Sequence, residues 1–323
     1  MKRRLINFLT IGVFFLFFFT GCKKEDPAEC YCNTDNTFGK PIVETGEVDI
    51  LASSFIITNG YISSDNGNTV TSKGICWSKN IDPTIDGEKT DEGPGATPFA
   101  SRVNNLEPNT TYYYRVYATT KEGTGYGNTY LFKTPESVVD ADGNEYETIQ
   151  IGTQIWMMEN LKTTKYNDGT PIPSGNYYKY QNNSELANIY GFLYPRSILE
   201  NKLAPNGWHI PTNEEWNLLI NHLGGEYVAG GKLKEEGTLH WNSPNTGATN
   251  ESGFTALPAG YASSSFVTLK FNNLGSNTYW WSATNYDSYA NYYYQLSNNN
   301  ITISRDYSRD YSTDYYSVRC VKD

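Results

Sequence analysis

The chain has 323 residues, a formal net charge of −10, 27 Tyr and only 19% charged residues. This length suggests two domains, and the acidic balance excludes general binding to phosphate backbones. So few charges with so many aromatic rings argue against a disordered acidic tail, and 5 Cys in this length make no disulfide scaffold.

Lys2, Arg3 and Arg4 form a positive start, and Leu5 to Phe19 is apolar apart from Asn7 and Thr10. The run is short for a membrane span and suits a secretory signal over residues 1–21. It ends in Phe19-Thr20-Gly21-Cys22, which resembles a bacterial lipobox, with Phe19 where Leu is usual. The resemblance implies cleavage before Cys22, lipidation of that Cys and anchoring at a membrane without a span. Removing the three basic residues leaves 22 basic against 35 acidic residues, a net −13. Lys24-Glu25-Asp26 resembles the surface-export tag of Bacteroidetes lipoproteins, which implies an outer-membrane protein facing the exterior. An ordinary solvated tether is the alternative. Residues 22–40 read as a flexible stalk. The Cys30-Tyr31-Cys32 run within it fits a disulfide or an incidental pair better than a metal site.

Residues 41–135 show short alternating runs broken by turns, the pattern of an all-β sandwich. Strands are predicted at Ser54–Thr58, Lys73–Ser78, Thr111–Ala118 and Thr129–Phe132, with Trp77 as a core plug and Tyr112, Tyr114, Val116 and Ala118 facing inward. Leu106-Glu107-Pro108-Asn109-Thr110-Thr111-Tyr112 resembles the tyrosine corner of fibronectin type III domains, where the Tyr hydroxyl bonds back to the upstream chain. The resemblance implies a spacer or generic binding module. Glu107-Pro108-Asn109 also spells the calcium-sugar tripeptide of C-type lectins, but a sandwich turn is the wrong setting.

Residues 136–323 carry five blocks in order. They are Ile151–Leu161 with Trp156-Met157-Met158-Glu159-Asn160, Asn206–Trp216, Gly253–Gly260, Tyr279–Thr284 and Tyr316–Val321. Together they resemble the Fibrobacter succinogenes major paralogous domain. The resemblance implies an α+β fold akin to C-type lectins and the formylglycine-generating enzyme, and little about activity. Thr212 with Glu215 forms a capping box, so a helix is predicted from Asn213, with Trp216, Leu219, Ile220 and Leu223 as its buried stripe and Gly224 as its stop. Trp156, Trp208, Trp280 and Trp281 read as core or groove walls.

Signatures of catalysis are weak. His209, His222 and His240 stand in no metal-binding spacing. Asp140–Asn144 has its Gly fourth and Ile151 at position twelve, so a turn fits it better than a calcium loop. Gly230-Gly231-Lys232-Leu233 fails the phosphate-loop spacing. Lectin-like enzymes use two reactive Cys, whereas Cys320 is alone in this domain, so it reads as an inert buried thiol. No enzyme activity, cofactor or metal is expected.

The segment 284–317 has nine Tyr, six Ser, five Asn and four Asp in 34 residues, the composition of adaptable binding surfaces. Every residue in it except Gln295 can arise by varying the two adenines of an AAC codon. That matches the product of a diversity-generating retroelement, or else a preference of the whole family. Within the segment, Ser304-Arg305-Asp306-Tyr307, Ser308-Arg309-Asp310-Tyr311 and Ser312-Thr313-Asp314-Tyr315 form a tandem. In extended chain its Arg and Tyr share one side. Ile301 and Ile303 point odd positions inward, while Val318 and Cys320 point even positions inward, so a loop or bulge is predicted between them. The expectation is non-covalent binding of a glycan or protein through Tyr286, Tyr289, Tyr293, Gln295, Arg305, Tyr307, Arg309 and Tyr311, with no nucleic acid as partner. A structural envelope protein and a glycan-active hydrolase are the alternatives.

Overall fold

The computed structural model describes residues 39–199, 201–265, 268–309 and 313–323. Cys22, Cys30, Cys32, the signal and most of the tether lie outside the described residues, as does Tyr311.

Eight strands open the described chain: β1 (Ile42–Ala52), β2 (Ile56–Ser64), β3 (Ser72–Ser78), β4 (Glu88–Lys89), β5 (Phe99–Val103), β6 (Thr111–Thr120), β7 (Gly123–Tyr126) and β8 (Tyr130–Lys133). They form two facing sheets, β1-β2-β5 and β4-β3-β6-β7, with β8 pairing the start of β6. This strand order is that of a fibronectin type III-like sandwich. The inward alternation on β6 appears as Tyr112, Tyr114, Val116 and Ala118, all buried with Ile56, Ile75 and Val103. The corner forms too: the Glu107 amide donates to the Tyr112 hydroxyl at 3.0 Å.

Two local expectations shift. The strand expected at Ser54–Thr58 begins at Ile56, because Ser53 and Ser54 bend and the Ala52 amide closes on the Phe55 carbonyl at 2.9 Å. Trp77 is only half-buried at the end of β3, and Ile75 and Cys76 are the buried residues there.

The rest of the fold grows from the sandwich's edge. A turn between β9 (Val138–Val139) and β10 (Glu145–Tyr146) closes around Asp140, whose carboxylate accepts from the Asp142 and Asn144 amides and the Tyr146 hydroxyl. Next, β11 (Thr148–Ile151) pairs with β1 on one side and β12 (Gln154–Met157) on the other. The sandwich sheet therefore runs on into the C-terminal half. Ser53 and Thr148 lock the joint: the Ser53 amide donates to the Thr148 carbonyl at 2.8 Å and the Thr148 amide to Ser53 Oγ at 3.0 Å.

Then come β13 (Tyr178–Lys179), α1 (Ser184–Tyr190), β14 (Phe192–Pro195), β15 (Trp208–His209), α2 (Asn213–His222) and α3 (Glu226–Leu233). The last strands are β16 (Tyr261–Ser265), β17 (Thr268–Asn272), β18 (Asn277–Asp287), β19 (Ala290–Ser297), β20 (Ser304–Arg309), β21 (Thr313–Tyr316) and β22 (Val321–Lys322). β15 and β22 complete the long sheet, β13-β14-β21-β16-β17 form a second, and β18-β19-β20 a third.

Both halves of the Thr212–Glu215 capping box are made, and Trp216, Leu219, Ile220 and Leu223 are buried. Trp156, Trp208, Trp280 and Trp281 are buried as well. Gly230 and Gly231 lie inside α3, where a Cβ would stand 2.6 Å from the Ile301 carbonyl and 2.3 Å from that of Gly247. Their spacing thus serves close backbone packing. Cys320 is fully buried and desolvation pushes its thiol well above the ordinary range.

Candidate recognition surface

The tandem changes sheets. β20 pairs with β19, whereas β21 pairs with β14 and β16. The predicted break in parity is this transfer between Arg309 and Thr313.

The register of β19 and β20 sets two faces. Tyr292 opposes Tyr307, Tyr294 opposes Arg305 and Ala290 opposes Arg309, so these residues share one face. Tyr293 opposes Asp306 and Gln295 opposes Ser304 on the other. On the first face Tyr286 and Tyr307 stack with centroids 4.0 Å apart, and Tyr292 meets Tyr286 edge-on at 5.4 Å. Arg305 lies over the Tyr292 ring at 4.8 Å and Arg309 over Tyr307 at 5.2 Å. Arg309 is also held by Asp287 at 3.1 Å, while Arg305 makes no ion pair among the described residues. Such cation–π contacts fix long side chains that would otherwise sample many rotamers.

Arg305 is shared with a concavity of about 510 Å3 lined by Asn217, Asn221 and Ile220 of α2, Glu226 of α3, and Tyr294, Thr302 and Ser304. Helix α2 is fixed there by Trp216, which stacks on Tyr294 at 4.8 Å. Burial pushes the Tyr294 hydroxyl up to about 12, against the pull of Arg305 beside it. It is therefore a neutral phenol at neutral pH.

Of the residues expected to bind, Tyr286, Arg305, Tyr307 and Arg309 come together on this face. Tyr286 is 43% exposed and Tyr307 38%. Tyr289 stands at the tip of the β18–β19 hairpin, 67% exposed. Tyr293 and Gln295 lie on the opposite face, with the Tyr293 ring packed on Tyr316 at 4.8 Å. Tyr315 and Tyr316 fill the interior. Sequence reasoning missed Tyr292, although its parity was available. It also missed Asn217, Asn221 and Glu226, which carried no local signal.

The histidines are engaged elsewhere. His209 bridges Asp323 at 2.6 Å and Glu215 at 2.7 Å, and His240 contacts Glu235 at 2.8 Å. Among the described residues no group of three or more His, Cys, Asp or Glu is placed to hold a metal ion.

A long sheet, a capped helix and a biased terminal hairpin define a mixed domain grafted on a sandwich. The sequence pattern of the Fibrobacter succinogenes major domain matches residues 149–322, and the chain belongs to that family. No curated protein matches it. Among solved structures, the sensor domain of the anti-sigma factor RsgI4 of Pseudobacteroides cellulosolvens is similar at 10% identity and TM-score 0.24, over 30% of this chain and 95% of that one. A fibronectin type III domain of human fibronectin type III domain containing protein 3 is similar at 17% identity and TM-score 0.23, over 30% and 88%. The sixth such domain of that protein is similar at 24% identity and TM-score 0.20, over 36% and 92%.

Proposed function

We propose that this chain is a lipoprotein of the outer membrane, held by a lipid on Cys22 and facing the cell exterior, whose lectin-like C-terminal domain binds an extracellular glycan without turning it over. The reading rests on one observation: Arg305 joins a ladder of exposed tyrosines to a groove lined by amides, hydroxyls and a carboxylate. Flat phenol faces suit the apolar side of a sugar ring, and convergent polar groups suit its hydroxyls. The ladder is already ordered by its own stacking, which lowers the entropy lost on binding. The sandwich would then hold this surface away from the membrane.

The test is retention of the mature ectodomain, beginning at residue 23, on a glycan array. We expect saturable binding to a restricted set of glycans. Tyr307→Ala and Arg305→Ala should each weaken it by about tenfold or more, equivalent to roughly 1.4 kcal/mol. Retention untouched by the double variant, or release of a cleaved product, would overturn the reading.

A further inference from the structure

A second, smaller cavity lies beside the buried Arg319. Arg319 is 1% exposed, a guanidinium taken almost wholly out of water. It lies over the rings of Phe254 at 4.2 Å and Trp280 at 5.6 Å. Its Nη1 donates to the Phe254 carbonyl at 2.6 Å and its Nε to Asn160 Oδ1 at 3.2 Å. Asn160 Oδ1 also accepts from the Trp280 indole at 2.8 Å, so the amide is fixed in orientation. No carboxylate pairs with Arg319 within 4.0 Å among the described residues. A buried charge without a counter-ion is costly, and neutral acceptors offset only part of that cost.

Arg319 borders a pocket of about 130 Å3, lined also by Glu159, Asn160, Met158, Ile189, Thr255 and Leu257. Glu159 is exposed and stands at the mouth. Desolvation pushes the Glu159 carboxyl up to about 7 against the pull of Arg319, so the two groups line one small cavity with no ion pair between them within 4.0 Å and with the carboxylate form dominant above neutral pH. The wall is strained as well: Thr255, a β-branched residue, has φ +53, a conformation that persists only where neighbours enforce it. Asn250 enforces it here, accepting from the Thr255 amide at 2.9 Å and donating to its hydroxyl at 3.0 Å. The pocket draws on four separate stretches of the sequence, at Met158–Asn160, Ile189, Thr255 with Leu257, and Arg319.

We infer that this pocket binds a small α-amino acid as its zwitterion, with the carboxylate on Arg319 and the ammonium on Glu159. A pocket of about 130 Å3 suits glycine, alanine or serine better than long side chains. Met158, Ile189 and Leu257 would enclose a methyl group. This site is independent of the glycan-binding surface, so either can fail alone.

The experiment titrates the ectodomain with alanine, acetate, methylammonium and leucine at constant ionic strength, followed by Trp indole NMR signals and calorimetry. We expect alanine to bind saturably below about 10 mM, at least tenfold tighter than acetate or methylammonium, with leucine excluded. Arg319→Met removes a core group and can unfold the domain. The blocking variant is therefore Ile189→Trp, at a side chain 42% exposed, which should abolish binding with an unchanged melting temperature. Tyr307→Ala should bind alanine as the parent does. Acetate binding as tightly as alanine, no saturable shift, or binding unaffected by Ile189→Trp would each overturn the inference.

Discussion

Tyr112 shows how much one side chain contributes at a sandwich corner. Its ring packs on Phe132 with centroids 5.7 Å apart, and its hydroxyl accepts the Glu107 amide. Tyr112→Phe keeps the ring and strands the amide. The expected loss is about 1–2 kcal/mol of unfolding free energy, read from a denaturant midpoint at unchanged slope. A midpoint equal to the parent's would mean that water replaces the hydroxyl at no cost. This device was legible because all its parts lie within seven residues of sequence. Trp77 was misjudged for the opposite reason. Alternation places it on the core face with Ile75, but only the tertiary structure reveals that β3 ends there, at a cleft shared with Arg102 and Lys89. The ladder was half legible. Parity put Arg305, Tyr307 and Arg309 on one side, yet it could not say which face of β19 they would meet.

At the scale of elements, α2 carries the connection between core and groove. Thr212 accepts the Glu215 amide, and Glu215 Oε2 in turn accepts the Thr212 amide at 2.8 Å. Glu215 Oε1 reaches His209, which also holds Asp323. Burial pulls the imidazole down, but its two carboxylate partners outweigh burial and raise its protonation range above the usual 6.5. A group raised in the folded state gives stability that is complete below its unfolded pKa and is lost as pH climbs through the folded one. Thr212→Ala should cost about 1 kcal/mol. In the parent, stability should fall from pH 6 toward pH 8, and His209→Gln should flatten that decline. A decline as steep in His209→Gln as in the parent would remove His209 from this role. The cap and the stripe were readable because they are local. Helix α3 was not, since two central glycines each cost a helix roughly 1 kcal/mol against Ala. The reason for them is the backbone of Ile301 and Gly247, more than ten residues away in sequence.

Across the whole molecule, one sheet joins the sandwich to the C-terminal half through β1 and β11. Nothing in the sequence announces that pairing, because its partners, Leu51 with Gln150 and Ala52 with Ile149, lie about a hundred residues apart. Phe55 and Ala52 enter the same cluster as Trp156, Trp216 and Tyr294, so the two parts share packing as well as hydrogen bonds. Tyrosines are spread through both. Burial pushes the Tyr114 hydroxyl in the sandwich and the Tyr294 hydroxyl beyond it up to about 12. It pushes Tyr146, Tyr194, Tyr293 and Tyr316 higher still. Two buried cations oppose them, and desolvation pulls the Arg319 guanidinium down to about 9. Lys234, bonded to the carbonyls of Thr246, Ser297 and Asn300, is pulled down to about 8 by desolvation. The folded chain therefore binds fewer protons than the unfolded one at Lys234 between about pH 8 and 10.4 and at Arg319 above about pH 9, and more protons at the Cys76 and Cys320 thiols above about pH 9 and at six tyrosines above about pH 10. Each such group shifts stability by about 1.4 kcal/mol per pH unit. Stability should rise by about 1 kcal/mol from pH 8 to 9 on Lys234, level off as the two raised thiols come in, and then fall steeply above about pH 10, where six tyrosines and two thiols outnumber two cations. Because the sheet is continuous, sandwich and C-terminal half should go together. A pH titration read by tyrosinate absorbance and far-ultraviolet circular dichroism would show both signals moving in one step. Tyrosinate appearing gradually while the circular dichroism stays folded would mean that these phenols ionise in place, and that burial does not govern their titration.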